Sequence, residues 1–105
     1  MVAMPCQTWH NVAVIKSWRT SVTRRFAVDG KGRFSGLDEE RAKARLQLLD
    51  AVQSMDEIPT LASIGLHKLK GARRHQWAMT INGPWRLVFE FRDGDAYNVE
   101  IVDYH

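Results

Sequence analysis

The chain has 105 residues, of which 45% are hydrophobic and 26% charged, and its formal net charge is +3 at pH 7. This length fits one small domain over residues 1–105, and the composition excludes collagen-like and low-complexity chains. No stretch reaches the roughly 20 consecutive apolar residues of a membrane span, and the chain start lacks a signal-peptide pattern, so we expect a cytoplasmic protein. Cys6 is the single cysteine, which excludes an internal disulfide and a thiolate metal cluster.

A short strand and a helix are predicted in the first third of the chain. Residues 1–13 precede them as an N-terminal extension. The β-branched residues of Val12–Trp18 favour a strand. Thr20–Val28 favours a helix, and the glycines that follow it favour a loop over residues 29–36.

The clearest helix is predicted over Asp38–Met55. Ser35 or Asp38 can cap its first turn, and acidic residues in that turn favour the positive end of the helix dipole. Its apolar residues recur at helical spacing, which predicts one buried face. They are Ala42, Leu46, Leu49 and Val52, with Leu48 and Met55 beside them.

The last third changes to a period of two, which is typical of an antiparallel meander of three strands. Pro84 has no N–H for a ladder, so we expect three-residue loops at Asn82-Gly83-Pro84 and Asp93-Gly94-Asp95. This register places Arg86, Glu90, Asn98, Glu100 and Tyr104 on a polar face. The helices would then cover the other face, in a two-layer α+β fold. That core face carries Trp77, Met79, Ile81, Trp85, Leu87, Phe89, Phe91, Tyr97, Val99 and Ile101.

The window from Ile58 to Phe89 contains no Asp or Glu. A window of one charge sign suits a polyanion such as nucleic acid. A solvated basic surface without a ligand fits the same composition. The cationic side chains of the window are Lys68, Lys70, Arg73, Arg74 and Arg86, with His67 and His75 beside them.

The chemistry that this sequence could support is limited to side chains near the predicted polar face. It has no phosphate-binding loop and no zinc-protease or serine-hydrolase motif, and its four histidines lie far apart, so we expect no metal and no cofactor. RNA supplies its own nucleophile, the 2′-OH, and cleavage then needs a base, cations and an acid. The side chains that could fill these roles are His67, Lys68, Lys70, Arg86, Asp103, Tyr104 and His105.

Each of these residues also has a structural alternative. Arg86 lies in the most apolar strand, so it must meet a phosphate or a carboxylate such as Glu90 or Glu100. His67 could be an ordinary surface histidine, and lysines on an edge strand often serve only to prevent aggregation. Tyr104 and His105 are the last two residues of the sequence, a position where side chains are often frayed.

The segment from residue 66 to residue 105 resembles the C-terminal half of HigB-type toxins of the RelE superfamily. The motifs that carry this resemblance are L-x-x-L-K-G from Leu66, N-x-x-W-R from Asn82, D-G-D-A-Y from Asp93 and the final D-Y-H. With VIKSW and LQLLDA upstream, the resemblance covers about residues 14–105. It implies a RelE-like fold of a small antiparallel sheet, the meander plus the N-terminal strand, packed on two helices.

The resemblance also implies a function. Toxins of this family are ribosome-dependent mRNA endonucleases that cleave mRNA in the ribosomal A site by attack of the 2′-OH and so inhibit translation. A HigA-like helix-turn-helix antitoxin neutralises them in a toxin–antitoxin hetero-oligomer. The catalytic residues carried over by motif are His67, Lys70, Arg86, Asp103, Tyr104 and His105.

Side-chain chemistry suggests roles for these residues. Arg86 would stabilise the phosphate with help from Lys70, and His67 and His105 are candidates for base and acid. Asp103 would orient an imidazole, while Tyr104 would stack on a base or join the proton transfer. Lys68, Arg73 and Arg74 would bind RNA phosphates. The alternatives are a non-catalytic RNA- or ribosome-binding module of the same fold and a structural protein that docks an acidic partner.

Overall fold

The computed structural model describes residues 15–30, 32 and 34–103. Two helices come first, α1 over Ser21–Asp29 and α2 over Glu39–Ala51. Neither they nor any other helix within the described residues is long and apolar enough to cross a membrane. Four strands follow, namely β1 over His67–Lys68, β2 over Gln76–Asn82, β3 over Trp85–Arg92 and β4 over Asp95–Asp103. The predicted α+β class is therefore confirmed.

Helix α1, predicted over Thr20–Val28, begins and ends one residue later, at Ser21 and Asp29. The Thr20 hydroxyl caps it by accepting a hydrogen bond from the Thr23 N–H at 3.2 Å. At the other end Gly30 adopts the left-handed conformation, and its N–H donates to the Phe26 carbonyl at 2.9 Å. The cap and the glycine thus satisfy backbone groups that a helix end leaves without partners.

Helix α2 starts one residue after its predicted start and ends earlier than predicted. Asp38 is the cap, because its side chain accepts a hydrogen bond from the Arg41 N–H at 3.1 Å. The helix stops at Ala51, short of Met55, since Val52 takes an extended conformation and is buried in the core. A separate turn of 3₁₀ helix follows at Met55–Glu57.

The sheet is antiparallel in the order β1-β2-β3-β4. Its fourth strand is β1. Of the predicted strand Val12–Trp18, the first three residues lie outside the described residues, and the rest runs parallel to β4, with bridges at Ile15 and Trp18 and a backbone hydrogen bond from the Lys16 N–H to the Ala96 carbonyl at 2.7 Å. The backbone N–H of Asn98 donates to the Ser17 hydroxyl at 2.8 Å and so interrupts a continuous ladder.

The turn between β2 and β3 has two residues, Gly83-Pro84, where three were predicted. An extra residue in β2, Ile81, forms a bulge that shifts the pairing by one position and so offsets the shorter turn. Ile81 is fully buried and Arg86 lies on the opposite face, as the sequence predicts. The pairs on either side of the bulge are Thr80 with Arg86 and Asn82 with Trp85.

The turn between β3 and β4 also has two residues, Asp93-Gly94, and both have positive φ, at 53° and 83°. This is the type I′ geometry that matches the twist of a hairpin. This turn sets Tyr97 opposite Glu90, and a second bulge follows at Asn98. The predicted place of Tyr97 on the core face is therefore wrong, and Ala96 occupies that place against the core.

The core lies between the helices and one face of the sheet. The Oγ1 atom of Thr23 accepts a hydrogen bond from the Ile101 N–H, which links α1 to β4 inside this layer. Trp77, Trp85 and Phe91 pack against the core while partly exposed. Its buried members include Phe26, Leu46, Leu49, Met79, Ile81, Leu87, Phe89, Ala96, Val99 and Ile101.

Candidate active site

The sheet face turned away from the helices, here called the outer face, carries the side chains that could act on RNA. Residues paired directly across antiparallel strands point to the same face. His67 pairs with Ala78, and Ala78 pairs with Val88. Arg86 lies two positions before Val88 in β3. Side chains two positions apart in a strand share a face, so Arg86 and His67 both lie on the outer face. Strand geometry places their Cα atoms about 12 Å apart.

Arg86 is held by the backbone of the turn that precedes it. Its Nη1 donates to the Gly83 carbonyl at 2.7 Å and to the Trp85 carbonyl at 2.9 Å. Among the described residues, no hydrogen bond uses its Nε or Nη2. These two nitrogens form the edge of a guanidinium that binds a phosphate through two parallel hydrogen bonds.

The carboxylates that the sequence offered as partners for Arg86 are engaged elsewhere. Glu90 lies 3.7 Å from both the His75 Nε2 and the Arg92 Nη2. Glu100 lies 3.5 Å from the Nε of Arg19. Within the described residues Arg86 forms no ion pair, so the structure favours carbonyl anchoring over the carboxylate pairing.

His67 is exposed on the edge strand, and its tautomer is set by one contact. Its Nδ1 lies 2.9 Å from the Gly65 carbonyl oxygen. A carbonyl only accepts, so Nδ1 carries the proton and the neutral ring keeps its lone pair on Nε2. The ring can therefore accept a proton at Nε2 while the protein holds the other nitrogen.

Asp103 ends β4 at the same end of the sheet as Arg86. It pairs with Trp85, and Val102 pairs with Arg86, so the backbones of Asp103 and Arg86 lie on adjacent positions of neighbouring strands. The Asp103 side chain points to the same face as Trp85, which is the face opposite the outer face. The predicted site residues Tyr104 and His105 lie outside the described residues.

The remaining predicted cations lie away from Arg86. Lys70 precedes the 3₁₀ turn Gly71–Arg73, beyond the pair of Gln76 with Glu90. Glu90 is four positions from Arg86, roughly 13 Å along the strand. The structure thus places Lys70 at the opposite end of the sheet from Arg86. Arg73 and Arg74 lie in the same connection, where Arg73 Nε donates to the buried Gln76 Oε1 at 2.7 Å.

Lys68 lies on the other face from His67. It pairs with Trp77, and its Nζ lies 5.7 Å from the centroid of that indole ring. This cation–π contact stabilises the edge of the sheet on the helix side. The structure therefore groups Lys68 with the partly exposed rim of the core.

Two further side chains on the outer face were not identified from the sequence. The ring of Tyr97 lies 3.8 Å from the guanidinium carbon of Arg92, at the end of the sheet near the β3–β4 turn. The sequence signal that could have located both side chains is the Asp93-Gly94 pair. A two-residue type I′ turn there sets Arg92 opposite Asp95, and this register places Tyr97 opposite Glu90 on the outer face.

The helix α2 fixes the bulged part of β2 next to the site. Arg45 Nε donates to the Thr80 carbonyl and its Nη2 to the Ser63 carbonyl, both at 2.9 Å. Burial, with repulsion from Arg41, lowers the pKa of Arg45. No three His, Cys, Asp or Glu side chains in the described part of the chain converge in a group that could hold a metal ion.

Comparison with known proteins agrees with this fold and these motifs. Residues 16–105 match the model of a RelE-like toxin of type II toxin–antitoxin systems. Within that class, the chain belongs to the HigB-like toxin family. One relative, Endoribonuclease HigB of Proteus vulgaris, is 38% identical over 78 residues, which cover 71% of this chain and 84% of the relative. The predicted family is confirmed, and a toxin of this family belongs to a pair with an antitoxin.

Proposed function

We propose that the chain is an endoribonuclease that cleaves RNA by attack of the 2′-OH on the adjacent phosphate. The observation that carries this proposal is the presence, on one outer face, of a histidine with its lone pair on Nε2 and an arginine whose Nε and Nη2 form no hydrogen bond with another described residue. The name of the Proteus vulgaris relative, an endoribonuclease, supports the same activity.

The reaction proceeds by general base catalysis and charge stabilisation. The Nε2 of His67 takes the proton of the 2′-OH, and the 2′-oxygen attacks phosphorus. The bond from phosphorus to the 5′-oxygen breaks, which leaves a 2′,3′-cyclic phosphate and a 5′-hydroxyl. Arg86 binds the non-bridging oxygens, whose charge increases in the transition state. Its two carbonyl contacts hold the guanidinium in place before substrate binds.

The end of β4 supplies the acid in this proposal. His105 protonates the leaving 5′-oxygen, Asp103 orients an imidazole, and Tyr104 stacks on a base or assists the proton transfer. The backbone of Asp103 lies beside that of Arg86, but its side chain points to the face of Trp85, so its proposed role rests on the family motif alone. Lys70, Arg73 and Arg74 bind phosphates farther along the RNA rather than the scissile one, whereas Lys68, on the other face, is left out of this role.

The proposed substrate is mRNA in the A site of the ribosome, in the cytoplasm. The proposed partner that neutralises the toxin is a HigA-like helix-turn-helix antitoxin in a hetero-oligomer. Membership of the HigB-like toxin family supports both proposals. A window without acidic side chains from Ile58 to Phe89 suits the polyanionic surface of ribosomal and messenger RNA.

Primer extension on a defined mRNA in a reconstituted translation system tests this function. The purified protein is added with and without ribosomes, and the 5′ ends of the fragments are mapped. Cuts at the A-site codon that require ribosomes are the expected result. Cuts without ribosomes would indicate a free ribonuclease, and no cuts in either reaction would favour the non-catalytic RNA-binding module.

A further inference from the structure

The far end of the outer face presents an aromatic side chain next to an unusual backbone conformation. Asn98 has a φ of 52°, a left-handed conformation that few residues other than glycine adopt. Its side-chain Nδ2 donates to Glu90 Oε2 at 3.0 Å, and its N–H donates to Ser17. This residue lies directly after Tyr97, whose pairing with Glu90 places it on the outer face.

Arg92 lies flat against this tyrosine. Its guanidinium carbon is 3.8 Å from the ring centroid, and its Nη2 lies 3.7 Å from Glu90 Oε1. The Arg92 side chain is still 55% exposed. The carboxylate and the ring together hold a planar cation at the surface, where a flat ligand can stack on it.

The basic connection between β1 and β2 borders the same end of the sheet. His75 lies 3.7 Å from Glu90, which is also the neighbour of Arg92. Arg73 is fixed by the buried Gln76, which pairs with Glu90 across the sheet. The cationic side chains of this connection therefore lie at the same end of the sheet as Arg92 and Tyr97.

We propose that Arg92 and Tyr97 form a second RNA subsite, in which an unpaired base of a single strand stacks on the pair while Arg73 and Arg74 bind the flanking phosphates. Aromatic rings and guanidinium planes bind single-stranded RNA in this way with little sequence preference. Six positions of β3 separate Arg92 from Arg86, about 20 Å of strand. A single strand lying along the outer face would thus reach both ends.

This inference rests on the proposed function, since it concerns the same RNA substrate. Its test measures binding and not cleavage, so the two can fail separately. The ligand is a fluorescent single-stranded 2′-O-methyl RNA oligonucleotide, which lacks the attacking hydroxyl and cannot be cut. Fluorescence anisotropy then gives its Kd for the full chain and for each variant.

We expect Tyr97→Ala to raise the Kd about 5-fold or more, because stacking on one base is lost. Tyr97→Phe keeps a ring under Arg92 and should bind as the unchanged protein does. Arg92→Ala should weaken binding, whereas Arg24→Ala, an exposed arginine of α1, should not. An oligonucleotide with an abasic position at the stacked base should lose affinity for the unchanged protein but not for Tyr97→Ala.

The proposal is overturned if the unchanged protein does not bind the oligonucleotide, if Tyr97→Ala binds equally well, or if Tyr97→Phe loses as much affinity as Tyr97→Ala. Circular dichroism and thermal unfolding check that each variant is folded. Loss of mRNA cleavage in Arg86→Ala, with oligonucleotide binding unchanged in Tyr97→Ala, would leave the proposed function in place and remove only the second subsite.

Discussion

The hydroxyl of Thr23 in α1 accepts a hydrogen bond from the backbone N–H of Ile101 in β4, at 3.1 Å. Thr23 is fully buried, and its Oγ1 also accepts a hydrogen bond from the Thr20 hydroxyl at 2.8 Å. Ile101 is two residues from Asp103, at the end of β4 that borders Arg86. One buried threonine thus links the first helix to the strand that leads into the candidate site.

Thr23→Val tests this link with a side chain of nearly the same shape. The substitution leaves the buried Ile101 N–H without an acceptor, so the free energy of unfolding should fall by about 1–3 kcal/mol. Thr23→Ser keeps the acceptor and should lose less. Urea unfolding at equilibrium measures both, and equal stability of the two variants would show that the hydroxyl contributes little.

Arg45 is expected to stabilise the bulged end of β2. Arg45→Met removes the hydrogen bonds to the Thr80 and Ser63 carbonyls while keeping the aliphatic stem. The free energy of unfolding should fall by about 2 kcal/mol, since bonds from charged donors are stronger than neutral ones. Arg24→Met on the exposed side of α1 is the matched control and should change it little.

A lower urea midpoint with an unchanged slope is the expected result for Arg45→Met. Equal midpoints for Arg45→Met and Arg24→Met would contradict the role assigned to Arg45.

The bulge at Asn98 predicts a residue-specific effect on stability. Asn98→Gly keeps the positive φ without strain but loses the 3.0 Å hydrogen bond to Glu90, so its cost should be small. Asn98→Val loses the bond and places a β-branched residue at positive φ, which should cost about 1–3 kcal/mol more. Thermal unfolding measures the stability of the two variants. Equal stability of Asn98→Val and Asn98→Gly would contradict the positive φ assigned to Asn98.

Much of the fold follows from local pattern in the sequence. Helix α2 is marked by the spacing of Ala42, Leu46 and Leu49, all of which are buried. The alternation in β2 and β3 predicts the buried Met79, Leu87 and Phe89 correctly, because one face of each strand meets the helices. The cap at Asp38 and the stop at Gly30 also follow from local chemistry.

The differences arise where hydrogen bonds between distant residues decide. The register of β4 changes at Asn98 because Ser17, far away in sequence, accepts its N–H. The prediction places Tyr97 on the core face because it uses a three-residue loop, whereas the two-residue turn Asp93-Gly94 sets Tyr97 opposite Glu90. The fourth strand is His67–Lys68, which pairs with the edge of β2. Local propensity does not predict this pairing, because tertiary packing decides which segment reaches that edge.

The candidate site was predicted as residue types and not as geometry. Arg86 and His67 share the outer face, but the contacts to Gly83 and Gly65 that fix their orientation depend on turns which no residue pattern specifies. Lys70 was grouped with Arg86 through the family motif. Its place at the other end of the face follows from the length of β2 and β3.

The central claim is that Arg86 stabilises the phosphate while an RNA strand is cut. The most direct test measures the single-turnover rate of mRNA cleavage in a reconstituted translation system for the unchanged protein, Arg86→Ala and Arg24→Ala. Removal of a donor aimed at the transition state should lower the rate of Arg86→Ala by about 10²–10³-fold, with Arg24→Ala unchanged. Equal rates for Arg86→Ala and the unchanged protein would contradict the proposed site.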